Sequence, residues 1–374
     1  MRALLLATGE ERKLPPLTTR YPSPMLPVAN RPVIAYAVEL MARHDFDDIL
    51  VSLLHKADMV ETYLEMGRQW NVQFTYLPQR MPLGSAGSLK RAQSLLNDSF
   101  LVMPGDTLAD LDLTDLYAFH RSHDGSATAV LAARVAGASQ TPTVQMGSDS
   151  RILSVQTEPG HGNAFVCTDV FLFEPDVLDL VPHQTVFDCK RDLLSQLLAH
   201  DAAIYGYVSE SYWNPIDTFA DYQAAQRDCL NSLLVAPEAR VAPTCVRYVY
   251  VEEGGDGAGR WRGRGASIHP SVQINAPVII GAGCQIGRDA SIGPGVIIGP
   301  NSIVDVGATI EHSTVLANTY IGRLVKLHGK IVSASTLIDL ESEASVEIAD
   351  RVLLGSAGTP AADAVFRSTA ERLT

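Results

Sequence analysis

Positive charge is scarce in this chain. Its 374 residues carry 29 Lys and Arg against 42 Asp and Glu, a formal net charge of −13, and no basic tract interrupts the acidic background. A field of that sign repels nucleic acid and anionic membrane surfaces, so neither is expected as a partner. Cysteine is scarce too: Cys167, Cys189, Cys229, Cys245 and Cys284 are scattered, odd in number and without a Cys-x-x-Cys. Reduced thiols in a cytoplasmic protein are expected from that pattern, not a disulfide framework. No Cys/His cluster has the spacing of zinc ligands. Long apolar runs are missing as well. Residues 4–7 are far too few for a membrane span and lack a signal-peptide h-region. What remains is a chain with 46% hydrophobic residues, enough for two domains and a large core.

Two halves with different periods are legible. Over residues 1–230, apolar runs alternate with helical patterns. Strands are expected at 3–7, 49–54, 72–77 and 100–103. Helices are expected at 32–43, 57–66, 85–96, 113–122 and 219–230. Asn30 is a capping candidate for the first helix, with Pro32 tolerated in its first turn. Strands interleaved with helices predict an α/β fold with a mostly parallel sheet covered on both faces. Ligands of such sheets sit beyond the C-terminal strand ends, where the loops after Ala7, Leu77 and Met103 converge.

From Ile268 the period becomes six. Ile268, Ile274, Ile280, Ile286, Ile292, Ile298, Val304 and Ile310 follow one another without a slip. Four residues after each come mostly small residues: Val272, Val278, Cys284, Ala290, Val296, Ser302 and Ala308. One large and one small inward residue per hexad suits short strands on the flat faces of a triangular solenoid, three hexads to a coil. This resembles the hexapeptide-repeat left-handed parallel β-helix. The frame slips after Ile310 and Ile321-Gly322 marks its resumption. The expected organisation is an α/β domain over 1–230, a linker or hairpin over 231–265, the solenoid over 266–355, and a cap or tail over 356–374. Within the linker, residues 235–250 read as strand-rich, and 254–265 as a glycine- and arginine-bearing loop. Flat solenoid faces favour a homo-oligomer.

The first 32 residues carry the most specific signal. After the apolar run come Gly9, Leu14, Pro16, Leu17, Thr18, Pro22, Pro24, Pro27 and Pro32. The pattern resembles the signature of the sugar-1-phosphate nucleotidyltransferases, closest to mannose-1-phosphate guanylyltransferase-like proteins with a C-terminal solenoid. The family's first motif is Gly-Gly-x-Gly-Thr-Arg-Leu-x-Pro-Leu-Thr. Aligned on Leu14, Pro16, Leu17 and Thr18, this chain keeps Gly9, has Glu11 at a phosphate-approach glycine and Lys13 at the arginine. The family's Pro-Lys-Pro reads Pro22-Ser23-Pro24 here, without the ammonium.

Further motifs follow. Pro82-Leu83-Gly84-Ser85-Ala86-Gly87 is similar to the family's Leu-Gly-Thr-Ala-Gly nucleobase loop; a plain helix N-terminus with Ser85 as cap is the alternative. By the resemblance, Ala7, Gly9, Gln79, Gly84 and Ser85 are nucleotide-binding candidates. Gly105-Asp106 is similar to the family's Gly-Asp, which implies Mg²⁺ binding by Asp106; a turn-forming Asp is the alternative. Trp213-Asn214-Pro215-Ile216-Asp217-Thr218 stands where the family has Trp-x-Asp-Ile-Gly-Thr, so Pro215 holds the metal position. Asp217 is then a displaced metal candidate or a helix cap. Thr157-Glu158-Pro159 aligns with the family's Glu-Lys-Pro, which places Glu158 at the sugar-phosphate lysine. Cys167-Thr168-Asp169-Val170-Phe171 aligns with Asn-x-Gly-Ile-Tyr, which places Cys167 at the sugar-binding asparagine.

The chemistry implied by the resemblance is transfer of a nucleotidyl group. A sugar-1-phosphate oxygen attacks the α-phosphorus of a nucleoside triphosphate and pyrophosphate leaves, so two polyanions must be held together and their charge screened. The substitutions at Glu11, Ser23, Glu158 and Pro215 all run against that. The expectation is a family-like protein with a degraded phosphate and Mg²⁺ site. It binds a nucleotide or sugar nucleotide with weak or no catalysis, as a regulatory or scaffolding subunit beside itself or an active paralogue. The alternative is an active enzyme making an NDP-sugar with Lys13 and Asp106 as catalytic residues, Mg²⁺ being needed only in that case. A third reading is a solenoid acyltransferase using His312 or His328 as base.

Overall fold

A computed structural model describes residues 1–9, 13–132, 142–156, 165–232 and 260–357. The chain divides into two compact units. The first comprises Met1–Lys13, Thr18–Leu26 and Val33–Pro215; the second comprises Leu14–Leu17, Pro27–Pro32 and Ile216–Thr374.

The first unit is built on a nine-stranded mixed sheet. Its strands are β1 (Arg2–Ala7), β2 (Asp48–Leu53), β3 (Gln73–Pro78), β4 (Phe100–Pro104), β5 (Ala127–Ala132), β6 (Thr143–Met146), β7 (Ile152–Gln156), β8 (Phe165–Phe173) and β9 (Ile204–Ser209). The main path runs β7-β6-β8-β4-β1-β2-β3, and β5 pairs with both β8 and β9. β3, β2, β1 and β4 are parallel neighbours, while β8 runs antiparallel to β4. Successive β1, β2 and β3 step one way from β1, and β4 returns to its other side. That reversal opens a crevice beyond the C-terminal ends of β1 and β4. The core lies on both faces of the sheet. Leu5, Val51, Leu101 and Met103 pack beneath the helix Val33–Arg43, and Leu4, Val102, Phe171 and Phe173 pack on the other side with Leu89.

The four parallel strands and the helices Ala57–Leu64, Gly84–Arg91 and Leu113–Arg121 fall where periodicity put them. One local expectation is corrected. Asn30 does not cap the first helix, which begins at Val33; it turns a two-stranded hairpin, Pro27–Val28 with Arg31–Pro32. Ala29 and Asn30 both have positive φ, 48° and 65°, the backbone a tight two-residue hairpin turn requires. The Asn30 amide donates instead to the Ile298 carbonyl at 2.8 Å.

A histidine pair tests the first unit's acid sensitivity. His120 is 2% exposed, with Nδ1 2.8 Å from Thr128 Oγ1 and Nε2 3.2 Å from Glu174 Oε1. Burial holds its pKa below the ordinary 6.5, against the pull of Glu174; burial, then neighbouring His120, does the same to His123. The folded rings thus take protons at lower pH than the unfolded chain does. Their contribution is present above pH 6.5 and is lost as pH falls below it. Melting temperature should drop between about pH 7.5 and 5.5, and His120→Gln should shrink the drop. Calorimetry showing the same drop in the variant would contradict this assignment.

The second unit is a parallel β-helix. Three stacks form its faces: Arg260–Arg262, Val278–Ile280, Val296–Ile298 and Thr314–Val315 on one, Ser267–Ile268, Gln285–Ile286, Ile303–Val304 and Thr319–Ile321 on the next, and Gln273–Ile274, Ser291–Ile292, Thr309–Glu311 and Lys326–His328 on the third. Successive coils are 18 residues apart, as Val278↔Val296 and Ile292↔Ile310 show. Ile280, Ile286, Ile292, Ile298, Val304 and Ile310 fill the interior with Cys284, Ala290 and Ala308 beside them. The slip after Ile310 is one residue: Ile298 pairs with Val315 and Val304 with Ile321, a 17-residue step. The shortened corner lies between Thr309–Glu311 and Thr314–Val315, at His312. Leu354–Ser356 ends the stack by pairing antiparallel with Thr319–Ile321.

Residues 235–250, 254–259 and the tail beyond 357 lie outside the described residues. Arg260–Arg262, inside the expected loop, form a strand. Among the described residues, no helix is long and apolar enough to cross a membrane. Cys167, Cys189 and Cys284 are free and buried, and Cys229 is buried as well.

Candidate functional site

The crevice at the ends of β1 and β4 gathers the first and second motifs. Ala7 closes β1, fully buried. Gly9 follows at φ 61°, and a Cβ there would stand 3.0 Å from Pro22 Cβ. This close approach locks the first motif against the Pro22-Ser23-Pro24 segment. Gly105 donates its N–H to Leu6 O at 2.8 Å, which holds the β4 end beside β1. Asp106 comes next, with 18% of its side chain exposed.

Two side chains converge on one oxygen of Asp106. Lys13 Nζ lies 3.0 Å from Asp106 Oδ2 and also donates to the Pro215 carbonyl at 3.2 Å. Ser23 Oγ donates to the same Oδ2 at 2.8 Å. Ser23 is 1% exposed. Three positions separated by up to 93 residues in sequence thus form one cluster. The contact of Ser23 with Asp106 was beyond sequence reasoning, since a serine between two prolines signals only a turn.

The Gly84 segment has a second, independent construction. The helix Gly84–Arg91 begins with Gly84 at φ 72°, where a Cβ would meet Phe187 O at 2.5 Å. Gly87 N donates to Phe187 O and Phe187 N donates to Leu83 O. Ser85 Oγ donates to Asp188 Oδ2 at 2.8 Å and accepts from Cys189 N at 2.8 Å, so its hydroxyl clamps the 187–189 backbone and does not cap its own helix. Gln79, just past β3 and 8% exposed, donates from Nε2 to Ser52 Oγ and Ser88 Oγ at 2.6 and 2.7 Å. Its Oε1 is buried with no hydrogen-bond partner among the described residues. A buried acceptor left unpaired is costly, and a donor on a ligand beside this loop would satisfy it.

A buried ion pair missed by sequence reasoning stands on β8. Asp169 Oδ2 accepts from Lys190 Nζ at 2.8 Å. Burial pushes the Asp169 carboxyl above the usual range, opposed by Lys190 and by the more distant Lys13. Lys190 is held above its ordinary value by Asp169, against its own burial. Asp169 occupies the glycine of Asn-x-Gly-Ile-Tyr, so a charge at that position was the signal available. Cys167, two residues earlier, is fully buried, its thiol pushed up to about 12 by burial. Its Sγ lies 3.4 Å from the Thr168 carbonyl.

Asp217 belongs to the second unit, ahead of the helix Phe219–Ser232. Thr218, not Asp217, caps that helix: Thr218 Oγ1 accepts from Asp221 N at 3.1 Å while Asp221 Oδ2 accepts from Thr218 N at 2.9 Å, a reciprocal capping box. Glu11, Thr157 and Glu158 lie outside the described residues. For Mg²⁺, the donor set does not fit. Asp106 Oδ2 carries an ammonium and a hydroxyl, and among the described residues no three His, Cys, Asp or Glu side chains group as metal ligands. Mg²⁺ demands a near-octahedral shell of oxygens, and a lysine ammonium at 3.0 Å from the carboxylate opposes a second cation there.

Comparison with known proteins follows the same division. A family model described as nucleotidyl transferase matches residues 2–232, and a second, described as the GMPPB C-terminal domain, matches residues 274–359. The UTP–glucose-1-phosphate uridylyltransferase of Synechocystis sp. is 28% identical over 91% of this chain and 89% of its own length. The mannose-1-phosphate guanylyltransferase of Mycobacterium tuberculosis is 29% identical over 74% of this chain and 79% of its length. Among solved structures, HddC from Yersinia pseudotuberculosis superposes with a TM-score of 0.53 at 21% identity, covering 61% of this chain and 99% of HddC.

Proposed function

The chain belongs to the nucleotidyl transferase family, and from that premise we propose that it binds a nucleotide or sugar nucleotide at the Gly84 loop and transfers nucleotidyl groups weakly or not at all. One observation carries the reading: Asp106 Oδ2 is shared by Lys13 and Ser23. The two residues that replace the family's phosphate-binding Arg and Lys meet at the carboxylate that the resemblance assigns to the metal. Lys13 neutralises Asp106 instead of a phosphate. Asp169–Lys190 adds a second internally compensated pair. Cations engaged in this way lend less attraction to a triphosphate and a sugar phosphate together. Binding through the nucleobase is spared, because it rests on the Gly84 backbone and on the unpaired Gln79 Oε1. Such a subunit would sense or present a sugar nucleotide, beside an active paralogue or a second copy of itself.

The second reading, an active enzyme joining a nucleoside triphosphate to a sugar-1-phosphate, is favoured by the match to the Synechocystis uridylyltransferase over 89% of its length. In it, Lys13 swings from Asp106 to the phosphates. Pyrophosphate release, measured with a panel of triphosphates and sugar-1-phosphates with and without Mg²⁺, separates the two. Robust Mg²⁺-dependent turnover establishes the second reading and removes the first.

A further inference from the structure

The second unit holds a cavity of about 430 Å³ bounded by the helix Phe219–Ser232 and the solenoid wall. Its basic side chains come from both walls: Arg227 from the helix, His312 and His328 from adjacent coils. The apolar side chains Ile297, Ile331 and Leu340 line the same cavity.

The histidines are placed by an irregularity of the coil. His312 sits in the corner shortened by one residue, at φ 45°, a left-handed conformation that a non-glycine residue adopts at some strain. Gly295 makes room for its ring, since a Cβ there would stand 2.7 Å from His312 Nδ1. The His312 and His328 rings meet edge to face with centroids 5.4 Å apart. His328 Nδ1 lies 3.3 Å from Glu311 Oε2. Nearby Lys330 is engaged with Asp339. Two imidazoles and a guanidinium lining one cavity with apolar side chains suit an anionic group carried on a larger body, and the volume is that of a small-ligand pocket.

We propose that this cavity is a second ligand site, binding an organic phosphate ester through Arg227, His312 and His328. The ester is a phosphorylated sugar or a nucleotide, and the experiment tells them apart. Histidine carbethoxylation, mapped by peptide mass on the full chain, reads the site directly. Mannose 1-phosphate and GMP are the two arms, with inorganic phosphate as control. The expected result is that one or both esters protect His312 and His328 saturably, while the exposed His200 reacts unchanged. Arg227→Gln should weaken the protecting affinity by about tenfold, the loss expected for one charge-assisted hydrogen bond. His312→Asn keeps a residue tolerant of positive φ and should weaken protection of His328 in a chain of unchanged melting temperature. No protection by either ester overturns the proposal. So does equal protection by inorganic phosphate alone, or protection that Arg227→Gln leaves intact.

Discussion

Mg²⁺-dependent pyrophosphate release by this chain should run at least ~10²-fold below that of the Synechocystis relative assayed beside it, for every pairing of GTP, UTP or dTTP with mannose or glucose 1-phosphate. The reason is electrostatic. In-line transfer needs positive charge placed where charge develops, already organised and free to act. Here the ammonium of Lys13 is 3.0 Å from a carboxylate, and the second motif offers a hydroxyl bonded to that same carboxylate. Removing one such stabilising contact costs ~10²–10³ in rate. Losses in one cluster do not simply multiply, so the minimum expected loss is that of a single contact. Turnover within about tenfold of the relative would show that Lys13 and Asp106 part readily on substrate binding.

Gly84→Ala should abolish the thermal stabilisation that a nucleotide gives the full chain. The wild-type backbone at φ 72° lets the loop close against Phe187, and a methyl group would stand 2.5 Å from that carbonyl. Left-handed strain alone costs about 1–2 kcal/mol, and the clash must be relieved by moving either the loop or the 187–189 segment. Ser85 ties the same two segments together through Asp188 and Cys189, so a shift would pull both. The variant should melt a few degrees lower without ligand and show no nucleotide-dependent rise. An undiminished rise would move nucleotide binding away from this loop.

The parallel strands and the solenoid were legible because burial imposes a period on sequence. A six-residue repeat leaves an inward isoleucine at every turn, and the 18-residue coil follows from three hexads. The one-residue shortening at His312 was visible only as a slip, since its place in the corner depends on which strands pair. The sequence does not single out Thr218 as the cap, because Asp217 is an equally good capping type one residue away. At the site, the substitutions at Lys13, Ser23 and Asp169 were readable from the motifs. Their mutual contacts were not, because a side chain's partner across 83 or 93 residues is set by strand order and loop path. Asp169–Lys190 belongs to the same class: one member replaces a motif glycine and the other lies 21 residues on, in the segment that the Gly84 loop packs against.

Whether this chain transfers nucleotidyl groups turns on the state of one carboxylate, that of Asp106. Crystals grown with Mn²⁺ and a non-hydrolysable triphosphate, examined for anomalous scattering, read it directly. The prediction is that Asp106 keeps its contacts with Lys13 and Ser23 and that no Mn²⁺ peak lies within coordination distance of it. A peak about 2.1–2.3 Å from Asp106 Oδ2, with Lys13 turned onto the phosphates, would contradict it.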